Sequence, residues 1–119
     1  MADERGRFIE DVRRYAEAGE RLADGIAEFN AMNAAALADL ADGMSVTESF
    51  RIHDSAGWSR RISALLDEFE ASRRVTRSSA AAVLVDEGRT ITDVGRAFGV
   101  SHQLASRFAR SGAAHGPGA

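Results

Sequence analysis

The chain has no cysteine among its 119 residues, so neither a disulfide framework nor a thiolate metal site can form. Lysine is absent too, and all 15 basic side chains are arginines. The single proline, Pro117, lies near the end, and nothing before it interrupts a helix through proline. Aromatic residues make up 7% and β-branched residues are few, whereas alanine occurs 23 times, a composition that predicts an all-α fold. No segment approaches the roughly 18 apolar residues of a membrane span. The opening MADERGRFIEDVRR is charged and lacks the apolar run of a signal peptide, so no membrane partner and a cytoplasmic location are expected.

What is present is ordinary in amount and uneven in distribution. A hydrophobic content of 45% excludes wholesale disorder, and the length fits one domain or a small module joined to a helical arm. The formal net charge of −3 hides an asymmetry: residues 1–72 balance to −7 and residues 73–119 to +4. An acidic front and a basic rear imply two jobs on one chain, with the rear suited to a polyanion. Arginine as the only basic residue, together with abundant alanine, is what a GC-rich bacterial genome encodes.

Phe8, Val12, Tyr15, Gly19, Leu22, Ile26, Phe29, Asn33, Ala36 and Leu40 advance by alternating steps of four and three, a heptad seam on a helix from about residue 4 to 41. Ile9, Ala16, Ala23 and Leu37 widen that stripe, which suits a multi-helix bundle better than a two-stranded zipper. Glu10–Arg14 and Glu17–Arg21 have the favourable i,i+4 order, worth ~0.3 kcal/mol each. Gly19 and Gly25 each cost about 1 kcal/mol in a helix interior and mark a close crossing or a kink. Gly43 suits the left-handed position after a helix, and Ser45 with Glu48 has capping-box spacing. The next helix carries Trp58, Ile62, Leu65, Leu66 and Phe69 on one face, with DSAG at 54–57 as a point where it can break. Residues 45–72 then fold back along the first helix, and residues 1–72 form a helical association module that supports a homodimer.

Neither helix offers catalysis. His53, Asp54 and Ser55 supply the residue types of a hydrolase triad, but adjacent residues on a helix point in different directions. His102 and His115 lack a ligand partner at i+3 or i+4, and no glycine-rich phosphate loop occurs. The expectation is a non-enzyme with no cofactor and no metal.

From residue 76 onward three short helices can be drawn. The first runs from about 78 to 87 and ends at Gly88. Thr90 with Asp93 is a capping signature for a second helix over 91–98. Gly99 sits at a sharp turn, and Ser101 caps a third helix running to about residue 110. Val83, Leu84, Val94, Ala97, Phe98, Val100, Leu104, Ala105 and Phe108 fall where a compact trihelical core needs them. Gly95 and Ala105 are small enough for two helices to cross closely. Two helices joined by a short Gly-containing turn make a helix-turn-helix arrangement.

The stretch EGRTITDVGRAFGVSHQLASRFAR resembles the helix-turn-helix of bacterial DNA-binding proteins, most nearly the homeodomain-like variety of resolvase and invertase C-terminal domains. Gly95, Gly99, Val100, Ser101 and Ala105 carry the likeness, although Ala105 is smaller than the usual Val or Ile. The resemblance covers about residues 73–111 and implies a DNA-binding domain; independently of it, residues 112–119 are expected to be a disordered tail.

It further implies a reading helix in the major groove, with Ser101, His102, Gln103, Ser106 and Arg107 off its core face. Gln103 would pair with adenine and Arg107 with guanine, or Arg107 would reach phosphate and position without specifying. Arg89, Thr92, Arg96 and Arg110 are candidate phosphate contacts. Arg73, Arg74 and Arg77, in SRRVTR, either form a basic arm entering the minor groove or belong to the solvated end of the preceding helix.

The function expected is sequence-specific transcriptional regulation by a homodimer on double-stranded DNA, with a nucleoid-associated cytoplasmic location. Two alternatives stand beside it. One is an interaction module that docks the helix pair on a second protein, such as a polymerase component. The other is an accessory DNA-binding protein of recombination or partition.

Overall fold

The structure, a computed structural model, describes residues 3–114. Among the described residues there are five helices and no strand: α1 (Glu4–Ala41), α2 (Val46–Ile52), α3 (Ser55–Asp86), α4 (Ile91–Phe98) and α5 (His102–Ala114). None is long and apolar enough to cross a membrane. Of the tail expected to be disordered, residues 112–114 continue α5, and residues 115–119, including His115 and Pro117, lie outside the described residues.

The helix ends follow local chemistry. After α1 the chain turns at Gly43, whose φ is +98°, and the Met44 N–H donates to the Asp39 carbonyl at 3.0 Å. Ser45 Oγ accepts from the Glu48 N–H at 3.1 Å and starts α2, while the Glu48 carboxylate turns to Arg51. The break within 45–72 falls at His53 and Asp54. Asp54 takes a left-handed φ of +49° and its carboxylate accepts from the Gly57 N–H at 3.3 Å, which opens α3.

From there α3 runs unbroken to Asp86. No glycine or proline occurs between Trp58 and Glu87, so nothing in the backbone marks the charge step at 72/73. The boundary expected there lies inside α3, the helix expected over 78–87 is the last part of α3, and SRRVTR is helix interior rather than an extended arm.

The chain forms two compact units, one of residues 17–69 and the other combining the residues up to Ala16 with those from Glu70 onward. In the 17–69 unit the later part of α1 packs on the start of α3. Phe29 and Trp58 meet with ring centroids 6.1 Å apart at 52°, and the Arg61 guanidinium lies 5.1 Å from the Trp58 centroid. Arg61 also pairs with Glu28 at 2.6 Å, and Arg21 pairs with Glu68. Such exposed pairs contribute only ~0–1 kcal/mol each, so apolar packing decides the association.

That packing follows the heptad seam through Leu22, Phe29, Ala36 and Leu40, all half-buried, and extends one position to its side. Ala18 and Gly25 are buried here, whereas Ile26 is exposed, as are Ala23 and Leu37, two of the residues expected to widen the stripe. The reason is steric. Gly25 lies beneath the Leu65 side chain, which a Cβ at that position would strike. His53 Nε2 and Asp39 Oδ2, 2.8 Å apart, tie the end of α2 to the end of α1.

The second unit is built from residues 4–16 of α1, 70–86 of α3, α4 and α5. Its core is Ala81, Val94, Ala105 and Phe108, with Leu84, Ile91, Phe98, Val100, Leu104 and Ala109 packed around it. Phe98 and Phe108 meet edge to face at 5.9 Å. Ala97, expected in this core, is exposed, as are Ile9 and Ala16 on α1. Ala105 is wholly buried, and a Cβ on Gly95 would lie 3.7 Å from its methyl and 3.1 Å from the Val100 carbonyl oxygen.

The N-terminal turns of α1 are joined to this core by hydrogen bonds. Thr76 Oγ1 bonds the Asp11 carbonyl at 3.2 Å, and Arg7 Nη2 donates to the Gly112 carbonyl at 2.8 Å.

Two glycines give opposite predictions. A Cβ at Gly19 would rest 3.6 Å from Phe69 Cε1, an ordinary contact, so Gly19→Ala should stabilise by about 1 kcal/mol through helix propensity. A Cβ at Gly112 would overlap the Ser78 carbonyl oxygen and lie 3.0 Å from the Ala82 methyl. Gly112→Ala should therefore destabilise by about 1–3 kcal/mol, as overpacking does, despite the same propensity gain. Denaturant midpoints of the two variants check both signs.

Candidate nucleic-acid interface

Thr90 has the extended backbone of an N-cap. Its hydroxyl accepts from the Asp93 N–H at 3.1 Å, and Asp93 Oδ2 accepts from the Thr90 N–H at 3.0 Å. This reciprocal box fixes the first turn of α4 and has an electrostatic result. The Thr90 backbone N–H, then the Thr90 side chain, and then the nearby Arg89 and Arg96 charges hold the Asp93 carboxyl below its usual range.

At the other end Gly99 has φ +66°, a left-handed state that costs any other L-residue ~1–2 kcal/mol. The Val100 N–H returns to the Gly95 carbonyl at 3.0 Å, closing the turn before α5.

Ser101 then opens α5, its Oγ accepting from the Leu104 N–H at 3.2 Å. The cap uses one of the two lone pairs of that oxygen, which leaves Ser101 its hydroxyl proton and a second lone pair for an outside partner. His102 and Gln103 stand exposed on the first turn, and among the described residues neither side chain has a hydrogen-bond partner. Ser106 is half-buried, while Arg107 and Arg110 are exposed. His102 shares a shallow recess of about 380 Å³ at the turn with Thr92 and Arg96, and Gly95, Gly99 and Val100 form its floor. Arg89 is exposed at the mouth of α4.

The remaining candidates divide. Arg73 pairs with Glu70 at 3.0 Å, and Arg77 is half-buried with its guanidinium 5.8 Å from the Phe108 centroid. Arg73 is therefore engaged within α3, and Arg77 against α5. Arg74 and Arg107 instead both line a groove of about 670 Å³ between α1, α3 and α5. Val75, Leu104 and Phe108 give that groove an apolar floor, and Arg7 and Arg14 join its rim from α1.

Arg7 and Arg14 were not legible as partners of this site, because they lie some ninety residues away in a segment whose heptad pattern reads only as packing. Among the described residues no group of three or more His, Asp or Glu side chains converges as metal ligands would. Comparison with protein-family models, curated proteins and solved structures finds no match to the chain.

The lowered Asp93 carboxyl predicts a sign for acid stability. The folded state binds its proton less readily than the unfolded chain. The box therefore stabilises fully above the unfolded carboxyl range near ~3.9, and the contribution disappears as pH falls through the lower folded value. Asp93→Asn keeps an acceptor but not the charge. Its deficit against the unaltered protein in urea titrations should be widest near neutrality and close in acid, and a deficit constant across pH would discard the electrostatic account.

Proposed function

We propose that the chain is a sequence-specific DNA-binding regulator of transcription that acts as a homodimer. In this reading the last turns of α3 with α4 and α5 form a trihelical helix-turn-helix, and α5 enters the major groove. The observation that carries it is the first turn of α5, where His102 and Gln103 stand exposed and unpartnered beside Thr92 and Arg96 at the Gly99 turn. A major groove about 12 Å wide admits a helix, and the N-terminal residues of a reading helix lie nearest the base edges.

Roles follow from reach and chemistry. Gln103 has the paired donor and acceptor that match adenine, and Arg107, one turn along the same face, has the fork that matches guanine. Thr92, Arg96, Arg89 and Arg110 supply phosphate contacts that fix register without reading sequence. Arg74 is available to phosphate from α3, whereas Arg73 and Arg77 contribute mainly to the field, because their side chains already have partners.

A single reader of this size buries only ~600–1,000 Å² on DNA. Pairing two readers gains affinity through effective concentration. The 17–69 unit exposes Leu37 (67%), Val46 and Phe50 (59% each), an apolar set that supports self-association there. The acidic front also repels phosphate, which restrains non-specific binding.

Selection from random duplexes should enrich a palindrome with half-sites about 10 bp apart, or a multiple of that spacing. Light scattering on the same sample should give twice the chain mass. Arg96→Ala should weaken all sequences alike and reduce the salt slope by about one phosphate contact, that is ~0.9 in log–log terms. Gln103→Ala should instead relax one base position by ~1–3 kcal/mol. A chain that enriches no sequence and binds no duplex even at low salt would overturn the reading.

A further inference from the structure

The groove between α1, α3 and α5 has properties that reading DNA does not require. Its volume of about 670 Å³ falls within the range of small-molecule sites. Leu104, Phe108 and Val75 make its floor apolar, and the rim carries Arg7, Arg14, Arg74 and Arg107 against Asp11 as the one lining carboxylate.

The charges on that rim are only partly compensated. Among the described residues neither Arg74 nor Arg107 has an ion-pair partner, and Arg14 reaches Glu10 only at 4.0 Å. Arg7 uses Nη2 on Glu4 and the Gly112 carbonyl, while its Nε and Nη1 are buried without an acceptor. A buried N–H left without an acceptor is costly, so the Arg7 guanidinium is only partly satisfied.

We propose that this groove binds an amphiphilic carboxylate, a small molecule with an alkyl or aryl body and one anionic head. The body covers the apolar floor, and the head accepts charge-assisted hydrogen bonds from the guanidiniums, whose planar fork matches a carboxylate. A bare inorganic anion satisfies the rim but leaves the floor wet. A neutral amphiphile covers the floor but leaves the cations unmatched. Only a ligand with both parts answers both features.

Arg107 belongs to the groove and to the face of α5 assigned above to DNA. An occupied groove therefore draws Arg107 away from the duplex and weakens DNA binding, a consequence that rests on the proposed DNA reading, whereas ligand binding does not.

The test is calorimetry on the full chain with octanoate, with octanol as the neutral isostere and inorganic phosphate as the bare anion. Octanoate should bind at one molecule per chain, about tenfold more tightly than octanol, the size of effect that charge-assisted hydrogen bonds give. Phosphate should compete only weakly. Arg74→Gln and Arg107→Gln, both exposed side chains outside the core, should each weaken octanoate about tenfold and leave octanol unchanged. Val75→Asn should weaken both amphiphiles, and amide shifts on titration should centre on residues 75, 104 and 107.

No octanoate binding, equal binding of octanol, full competition by phosphate, or indifference to both arginine variants would each overturn the site. So would a dimer whose formation excludes octanoate. Octanoate binding with this pattern in a chain that binds no duplex would retain the groove and remove the DNA reading. Octanoate binding that leaves duplex affinity unchanged would overturn the shared role of Arg107.

Discussion

Close backbone approach at small residues is the constraint on which the unit bearing α4 and α5 depends. Gly112 brings the end of α5 against the Ser78 carbonyl, and Gly95 with Ala105 lets α4 and α5 cross with Val94 and Phe108 sealed between them. Only with the helices so near can Phe98 meet Phe108 edge to face and Arg77 lie over the same ring. The same nearness lets Arg7 reach the Gly112 carbonyl and hold the first turns of the chain against the last helix. Larger side chains at these positions would separate the helices that align His102, Gln103 and Arg107.

Arginine without lysine gives the surface a particular character. A planar, weakly hydrated cation can lie on a ring as well as pair with a carboxylate. Both uses occur, with Arg61 over Trp58 and against Glu28, and Arg77 over Phe108. The basic rear therefore divides its arginines between holding the fold and facing outward. Net charge alone does not reveal that division, which decides how many of them can meet a polyanion.

Much of the local architecture was legible because its signals are chemical and short-ranged. The span of α1, the turns at Gly43, Gly88 and Gly99, the Thr90–Asp93 box and the Ser101 cap all follow from residue types at fixed offsets. What was hidden is tertiary. The buried stripe of α1 takes in Asp11, Ala18 and Gly25, residues too small or too polar to register in a hydrophobic pattern, beside the half-buried seam residues Tyr15, Leu22 and Phe29. The step in charge at residue 72 lies close to the edge between the two units at 69/70, and α3 passes through both; what no sequence pattern marked is that the residues up to Ala16 belong with the C-terminal unit. On α5, exposure of His102 and Gln103 followed from the core spacing. The commitment of Arg73 to Glu70 and of Arg77 to Phe108 did not, nor did the arrival of Arg7 and Arg14 from the opposite end of the chain.

The unbroken course of α3 has a consequence for modularity. A helix propagates cooperatively, each residue held by bonds to those four places away. One 32-residue helix contributes residues to both units. The C-terminal segment from residue 73 is therefore not a whole unit by itself. That unit is completed by the opening turns of the chain, so a fragment that begins at residue 73 would lack the bonds made with Arg7 and Asp11.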